Sequence, residues 1–206
     1  MSRERRPNTA GQATRHRILE ATWELIVERG ISVSINEIAG AAAVTRQTVY
    51  FHFGSRAGLL VAMAQHRDTQ ERIGGEFAKA RSEPTARAVL EATIRTWCRY
   101  IPRILPVARA LYNAAEVDED AARAWWDRMD AIRGTFRHAV QGLADAGELD
   151  PSWTVAEATD VLWAIMHPRA WADLVEHHRW DPDRLVDRQI EVVERRSEER
   201  RVGKEC

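Results

Sequence analysis

The chain has 206 residues, 45% hydrophobic and 30% charged, with a formal net charge of −1, which is enough for one or two globular domains with a real core. No apolar run approaches the roughly 18 residues of a membrane span. The basic Arg3, Arg5 and Arg6 precede the polar stretch 7–17, where a secretory signal would be apolar, so a cytoplasmic protein with no membrane contact is expected; Cys98 and Cys206 are too few for a disulfide framework and fit the same reducing compartment.

Helical periodicity runs along almost the whole chain and strand alternation is missing, which predicts an all-α fold. Ile18, Leu19, Thr22, Leu25 and Ile26 share one face of a first helix over 14–29, stopped by Gly30. Ser34 and Glu37 form a capping box for a second helix whose buried side is Ile35, Ile38, Ala39 and Ala42. After a break at Ala43 and Val44, Thr45 is a good N-cap for a short third helix carrying Val49 inward and closing at Phe53. Ser55 then caps a fourth helix through Leu59, Leu60 and Met63, which Gly74 and Gly75 are expected to kink. The first three helices and their short turns have the spacing of a helix-turn-helix unit.

Three apolar stripes follow. The first runs from Ala86 through Leu90, Ile94, Trp97 and Ile101 to Ile104 and is expected to end against Pro102 and Pro106. The second, from Ala122 to Leu143, stops at Gly147, and the third, from Val155 to Met166, meets Pro168 and resumes through Trp171 and Leu174. Asp181 and Pro182 make an N-cap and first-turn pair for a last helix with Leu185, Val186, Ile190 and Val193.

The near-neutral total hides an asymmetry: residues 1–66 hold eight Arg against five Glu, whereas 67–195 hold 18 basic against 23 acidic side chains. Five Arg against one Glu in the first 17 residues make the N-terminal end the one a polyanion would meet, although a solvated basic tail has the same composition. The final segment, 196–206, contains Lys204, one of only two lysines. Back-translated, the segment resembles a common DNA-sequencing adapter, so it is expected to be a non-native read-through tail and is kept out of the fold argument. The expected organisation is a helix-turn-helix domain over 1–66 with a basic arm at 1–13, a helical domain over 67–195, and this tail.

On the third helix Val49 and Phe53 can point inward while polar groups point out. Arg46 can take guanine O6 and N7 together, and Gln47 can pair with adenine. Thr45, Thr48, Tyr50 and His52 offer donors to phosphates or base edges, and Arg56 adds charge. Ser34 and Asn36, where a helix N-terminus could meet a phosphate, and Phe51 complete the candidate set. The same pattern also describes a plain three-helix bundle with a polar surface.

The residues Ile38-Ala39, Ala42-Ala43-Val44-Thr45, Thr48-Val49-Tyr50-Phe51-His52-Phe53 and Ser55-Arg56 with Leu59-Leu60 resemble the DNA-binding domain of TetR-family transcriptional regulators over about residues 14–63. Ala43 stands where the family commonly has Gly, Arg56 where it commonly has Lys, and Gly58 where an acidic residue often completes a cap. The resemblance implies a homodimer of two-domain all-α protomers on a palindromic double-stranded DNA operator, usually as a repressor, with the last two helices (about 154–178 and 181–195) as the dimer interface. It further implies a small-molecule effector bound between the central helices.

Candidate effector contacts are Trp97, Cys98, Ile101, Trp125, Trp126, Met129, Phe136, Trp163, Met166 and His167. Large rings with one polar atom suit an apolar effector, but helically spaced Trp and Met equally describe a packed core. Asp173 and His177 share a helix face yet are too few for a metal site, Cys98 has no His nearby, and no phosphate loop, zinc-protease motif or nucleophile elbow is present, so neither cofactor nor catalysis is expected. The alternative reading is an all-α small-molecule-binding protein, or an enzyme, whose N-terminal unit is structural.

Overall fold

The computed structural model describes residues 9–198, and among them there are helices and no strand. Arg3, Arg5, Arg6, most of the basic arm and residues 199–206 of the tail lie outside the described residues.

The first helix, α1 (Thr9–Arg29), begins earlier than its apolar stripe does and ends where Gly30 takes φ +78° and donates its amide to the Ile26 carbonyl. Helix α2 (Ile35–Ala41) carries the expected capping box: the Glu37 amide donates to Ser34 Oγ, and the Glu37 carboxylate accepts from the Ser34 amide. Helix α3 (Arg46–Phe53) starts from Thr45, whose Oγ1 accepts from the Thr48 amide, and α4 (Arg56–Gln70) follows after two residues.

One expected break is displaced by two residues and another is absent. Gly74 and Gly75 lie inside a separate helix, α5 (Ile73–Arg81), and the chain breaks earlier, at Arg72, which takes the left-handed φ of 55°. A helical glycine costs only about 1 kcal/mol, which neighbouring hydrogen bonds readily offset. Pro102 and Pro106 do not end their helix either, since α6 runs unbroken from Ala86 to Ala114. The two prolines are four residues apart on the exposed side, where water can satisfy the carbonyls they free, while Ile101, Leu105 and Ala108 hold the opposite side buried.

Helix α7 (Glu119–Asp145) is capped by Asp118, which accepts from the Ala121 amide. A second capping box, Thr154 with Glu157, opens α8 (Val155–Ile165). The stretch 154–178 is not one helix. His167 caps a short α9 (Pro168–Ala172), which widens into a single π turn over Asp173–His177. The last helix, α10 (Pro182–Glu198), starts from the Asp181 cap, with Arg184 N–H donating to its carboxylate.

Packing divides the chain into two compact units. One contains the residues up to Arg67 together with Pro106–Arg128, and its core is built from Ile18, Leu19, Ile38, Val49, Leu59, Leu60 and Met63, all at most 2% exposed. The other contains Asp68–Leu105 and the chain from Met129 onward, with Ile94, Ile101, Phe136, Met166 and Leu185 equally buried. Helices α6 and α7 each contribute to both units, so units of packing do not coincide with a single division of the chain between 66 and 67.

Candidate nucleic-acid interface

Helix α3 is held by its caps and by one buried side chain. Val49 is 1% exposed, so the helix is anchored by it and turns its other residues outward. Arg46, Gln47, Tyr50 and Phe51 are exposed, with Phe51 at 85%, while Thr48 and His52 are half-buried. Phe51 is one of several large apolar side chains left in solvent, with Val117 at 89% and Trp126 at 50%, and what distinguishes it is its place beside the exposed polar groups of α3.

The exposed groups are ordered among themselves. The Arg46 guanidinium lies 5.4 Å from the centre of the Tyr50 ring and its Nη2 donates to Tyr50 Oη at 3.4 Å. Thr45 and Thr48 share a hydroxyl hydrogen bond of 2.8 Å beside the cap. Phe51 meets the His52 ring edge-on at 5.5 Å, and Arg15 from α1 covers the Phe53 ring at 5.0 Å.

On α2, Asn36 is exposed, but both donors of Ser34 are taken up by its own helix: N–H and Oγ–H point at the Glu37 carboxylate, at 2.9 and 2.7 Å. Those bonds, the Ser34 amide first, hold the Glu37 carboxyl below the usual carboxylate range, so a negative charge already sits where a phosphate was expected.

Arg56 is likewise engaged within the protein. Its Nη1 donates to both Asp118 oxygens, at 2.8 and 3.0 Å, and its Nη2 to the Ile31 carbonyl at 2.6 Å. Burial alone would raise the Asp118 pKa, but the Ala121 amide and the Arg56 guanidinium outweigh it and hold it low.

Two positions gain roles that their residue types did not announce. Ala43 sits in the α2–α3 turn with φ +50°, the left-handed region that glycine adopts freely. Gly58 donates its amide to Ser55 Oγ at 3.0 Å, so the cap of α4 is intact without an acidic residue. Any Cβ at Gly58 would lie 2.3 Å from the Phe53 carbonyl oxygen, and that oxygen belongs to the backbone that ends α3. The close approach of the α3 C-terminus to the first turn of α4 therefore requires a glycine.

The residues expected around an effector are shared between the two compact units. Trp97, Cys98, Ile101, Met129, Phe136, Trp163, Met166 and His167 belong to the second unit, whereas Trp125 belongs to the first, where its ring meets Tyr112 at 5.6 Å, and Trp126 is 50% exposed. Within the second unit Trp97 donates its indole N–H to the Met166 carbonyl at 2.7 Å and meets Phe136 edge-on at 6.4 Å. The Trp163 indole donates to the Met129 carbonyl at 3.3 Å and its ring faces His167 at 5.5 Å. Cys98 lies against Met166 Sδ and Gln189 Oε1, and burial pushes its thiol up to about 12, so it is an inert packing residue. Burial, with Arg169 nearby, lowers the His167 pKa. Among the described residues no cluster of three metal-ligating side chains is present, and no helix is long and apolar enough to cross a membrane.

Comparison with known proteins places the likeness first on this surface. Residues 18–63 match the family described as bacterial regulatory proteins, tetR family. Over 207 aligned residues the chain is 25% identical to the HTH-type transcriptional repressor BepR of Brucella suis, covering 84% of this chain and 90% of that protein. Among solved structures, NalD of Pseudomonas aeruginosa, described as the secondary repressor of a multidrug efflux pump, superposes with a TM-score of 0.66 at 26% identity, over 91% of this chain and 97% of that one. The regulator FadR of Bacillus subtilis, solved in complex with stearoyl-CoA, superposes with a TM-score of 0.70 at 16% identity, over 86% and 96%.

Proposed function

Because the chain belongs to the TetR family of bacterial regulatory proteins, and so is a DNA-binding transcription regulator and not an enzyme, we propose that it acts in the cytoplasm as a repressor. In this reading it binds a palindromic operator as a homodimer and is released by a small, largely apolar effector. The observation that carries the operator reading is the outward face of α3, where Arg46, Gln47, Tyr50 and Phe51 stand in solvent around a helix anchored by Val49. Arg46 and Gln47 are the base-reading pair, Tyr50 with Thr45 and Thr48 positions the helix on phosphates, and His52 adds a donor. A twofold axis must then set the two copies of α3 about 34–36 Å apart, one helical turn of DNA.

Dimerisation is assigned to α8 and α10, the latter opening from its Asp181 cap. Val161 on α8 is 40% exposed, an apolar side chain that a second protomer would cover. For the effector, the support is the aromatic set Trp97, Phe136 and Trp163 in the second unit and the acyl-CoA complex of the similar FadR. Release requires the effector to prefer the non-binding geometry, by about 1.4 kcal/mol for each tenfold loss of operator affinity.

A mobility-shift titration with DNA flanking the protein's own gene tests the reading. Saturable, sequence-specific retardation is expected; retardation equal on unrelated DNA would reduce the protein to a helical binder with a structural N-terminal unit. Replacing Arg46 with Ala should relax discrimination at one base pair by roughly 1–3 kcal/mol, measured with single-position operator variants, whereas replacing Arg5 or Arg6 should mainly change the salt dependence.

A further inference from the structure

The Arg56 guanidinium joins three places in the first unit: the loop after α1, through the Ile31 carbonyl; the first residue of α4, where it originates; and the cap of α7, through both oxygens of Asp118. Residues 31 and 56 bracket α2 and α3, so this one side chain closes the helix-turn-helix segment at its two ends. Asp118 cannot move independently, because it also accepts from the Ala121 amide at 3.0 Å and so belongs to the first turn of α7. Asp120 adds a second carboxylate 3.8 Å from Arg56 Nη1. With its Arg56 and Asp118 side chains only 22% and 27% exposed, the pair is shielded from the screening that weakens surface ion pairs.

We propose that Arg56 is a positioning residue and not a phosphate contact: it sets the orientation of α3 by clasping the segment 31–56 and fastening it to the cap of α7. The inference rests on the operator reading above and adds how the reading helix is held. It makes the first turn of α7 a point from which the affinity for DNA can be altered without touching the DNA-facing side chains.

Operator affinity measured against salt concentration separates the two roles, with Asp118→Asn, Arg56→Gln, the double variant and Arg56→Lys. Asn remains a good helix cap, so Asp118→Asn removes the charge and keeps the start of α7. Each of the first two is expected to weaken operator binding about tenfold, the double variant no more than either alone, and the slope of log K against log salt to stay at the unmutated value. Lysine keeps the charge but cannot reach Asp118 and Ile31 together, so Arg56→Lys should bind as weakly as Arg56→Gln.

A slope reduced by about one in Arg56→Gln, with full affinity restored by lysine and Asp118→Asn without effect, would make Arg56 a phosphate contact and overturn the inference. Specific retardation with multiplying effects of the two single variants overturns it as well, leaving the operator reading intact. If the unmutated protein gives no sequence-specific retardation, the operator reading falls and takes this inference with it. Circular dichroism of each variant at the assay temperature confirms that folded protein is compared.

Discussion

Helix α3 and the aromatic layer of the second unit use the same residue types for opposite ends. Phe51 leaves 85% of its surface in water, whereas Phe136 leaves 1%. Tyr50 keeps its hydroxyl with Arg46 on the outside, whereas the Trp97 indole delivers its N–H to a buried backbone carbonyl. The first group of rings is open to solvent, whereas the second meets its hydrogen-bond and ring partners within the protein. The sequence marks α3 by its polar side chains and the second unit by its rings, and the same ring types stand exposed in the one and buried in the other.

The sharpest test sets these two phenylalanines against each other. Phe136→Ala should destabilise the protein by about 3–5 kcal/mol in urea unfolding, while Phe51→Ala should leave unfolding within about 0.5 kcal/mol of the unmutated protein and lower operator affinity. A large stability loss on removing Phe51 would break the comparison.

Next in size is Gly58→Ala, which forces a methyl group into the Phe53 carbonyl and should cost about 1–3 kcal/mol of stability, together with a drop in operator binding because the end of α3 must shift. Ala43→Gly works in the other direction: relief of the left-handed alanine should raise stability by about 0.5–1 kcal/mol, seen as a higher midpoint in the same titration.

The smallest effect concerns acid. Asp118 has a folded pKa below its unfolded value, so its contribution is complete above the ordinary carboxylate range and is lost as pH falls through the folded value. Unfolding free energies compared between pH 6 and pH 2 should decline by up to about 1 kcal/mol less for Asp118→Asn than for the unmutated protein.

The elements legible in the sequence were those governed by neighbours a few residues apart. Ser34 with Glu37, Thr45 ahead of α3, Gly30 and Asp181 with Pro182 all act within one turn of helix, and each was found where expected. Breaks were misplaced where a local penalty competes with packing, as for the glycines within α5 and the exposed prolines of α6. In the candidate site, the outward face of α3 followed from placing Val49 inside. The engagement of Arg56 did not, because Asp118 lies 62 positions further along and nothing local pairs them. Gly58 was legible only as a departure from a pattern, since its reason is a carbonyl brought close by the turn between two helices.

The stacking of Arg46 on Tyr50 has an entropic consequence. A free arginine on a surface samples many rotamers, and fixing it against a base edge costs roughly 0.5–1.5 kcal/mol of side-chain freedom. Resting on an aromatic face one helical turn away, this guanidinium has given up part of that freedom while the chain folds. On the operator proposed above, docking would then select among few orientations, and a mismatched base would gain little from any rearrangement of the arginine.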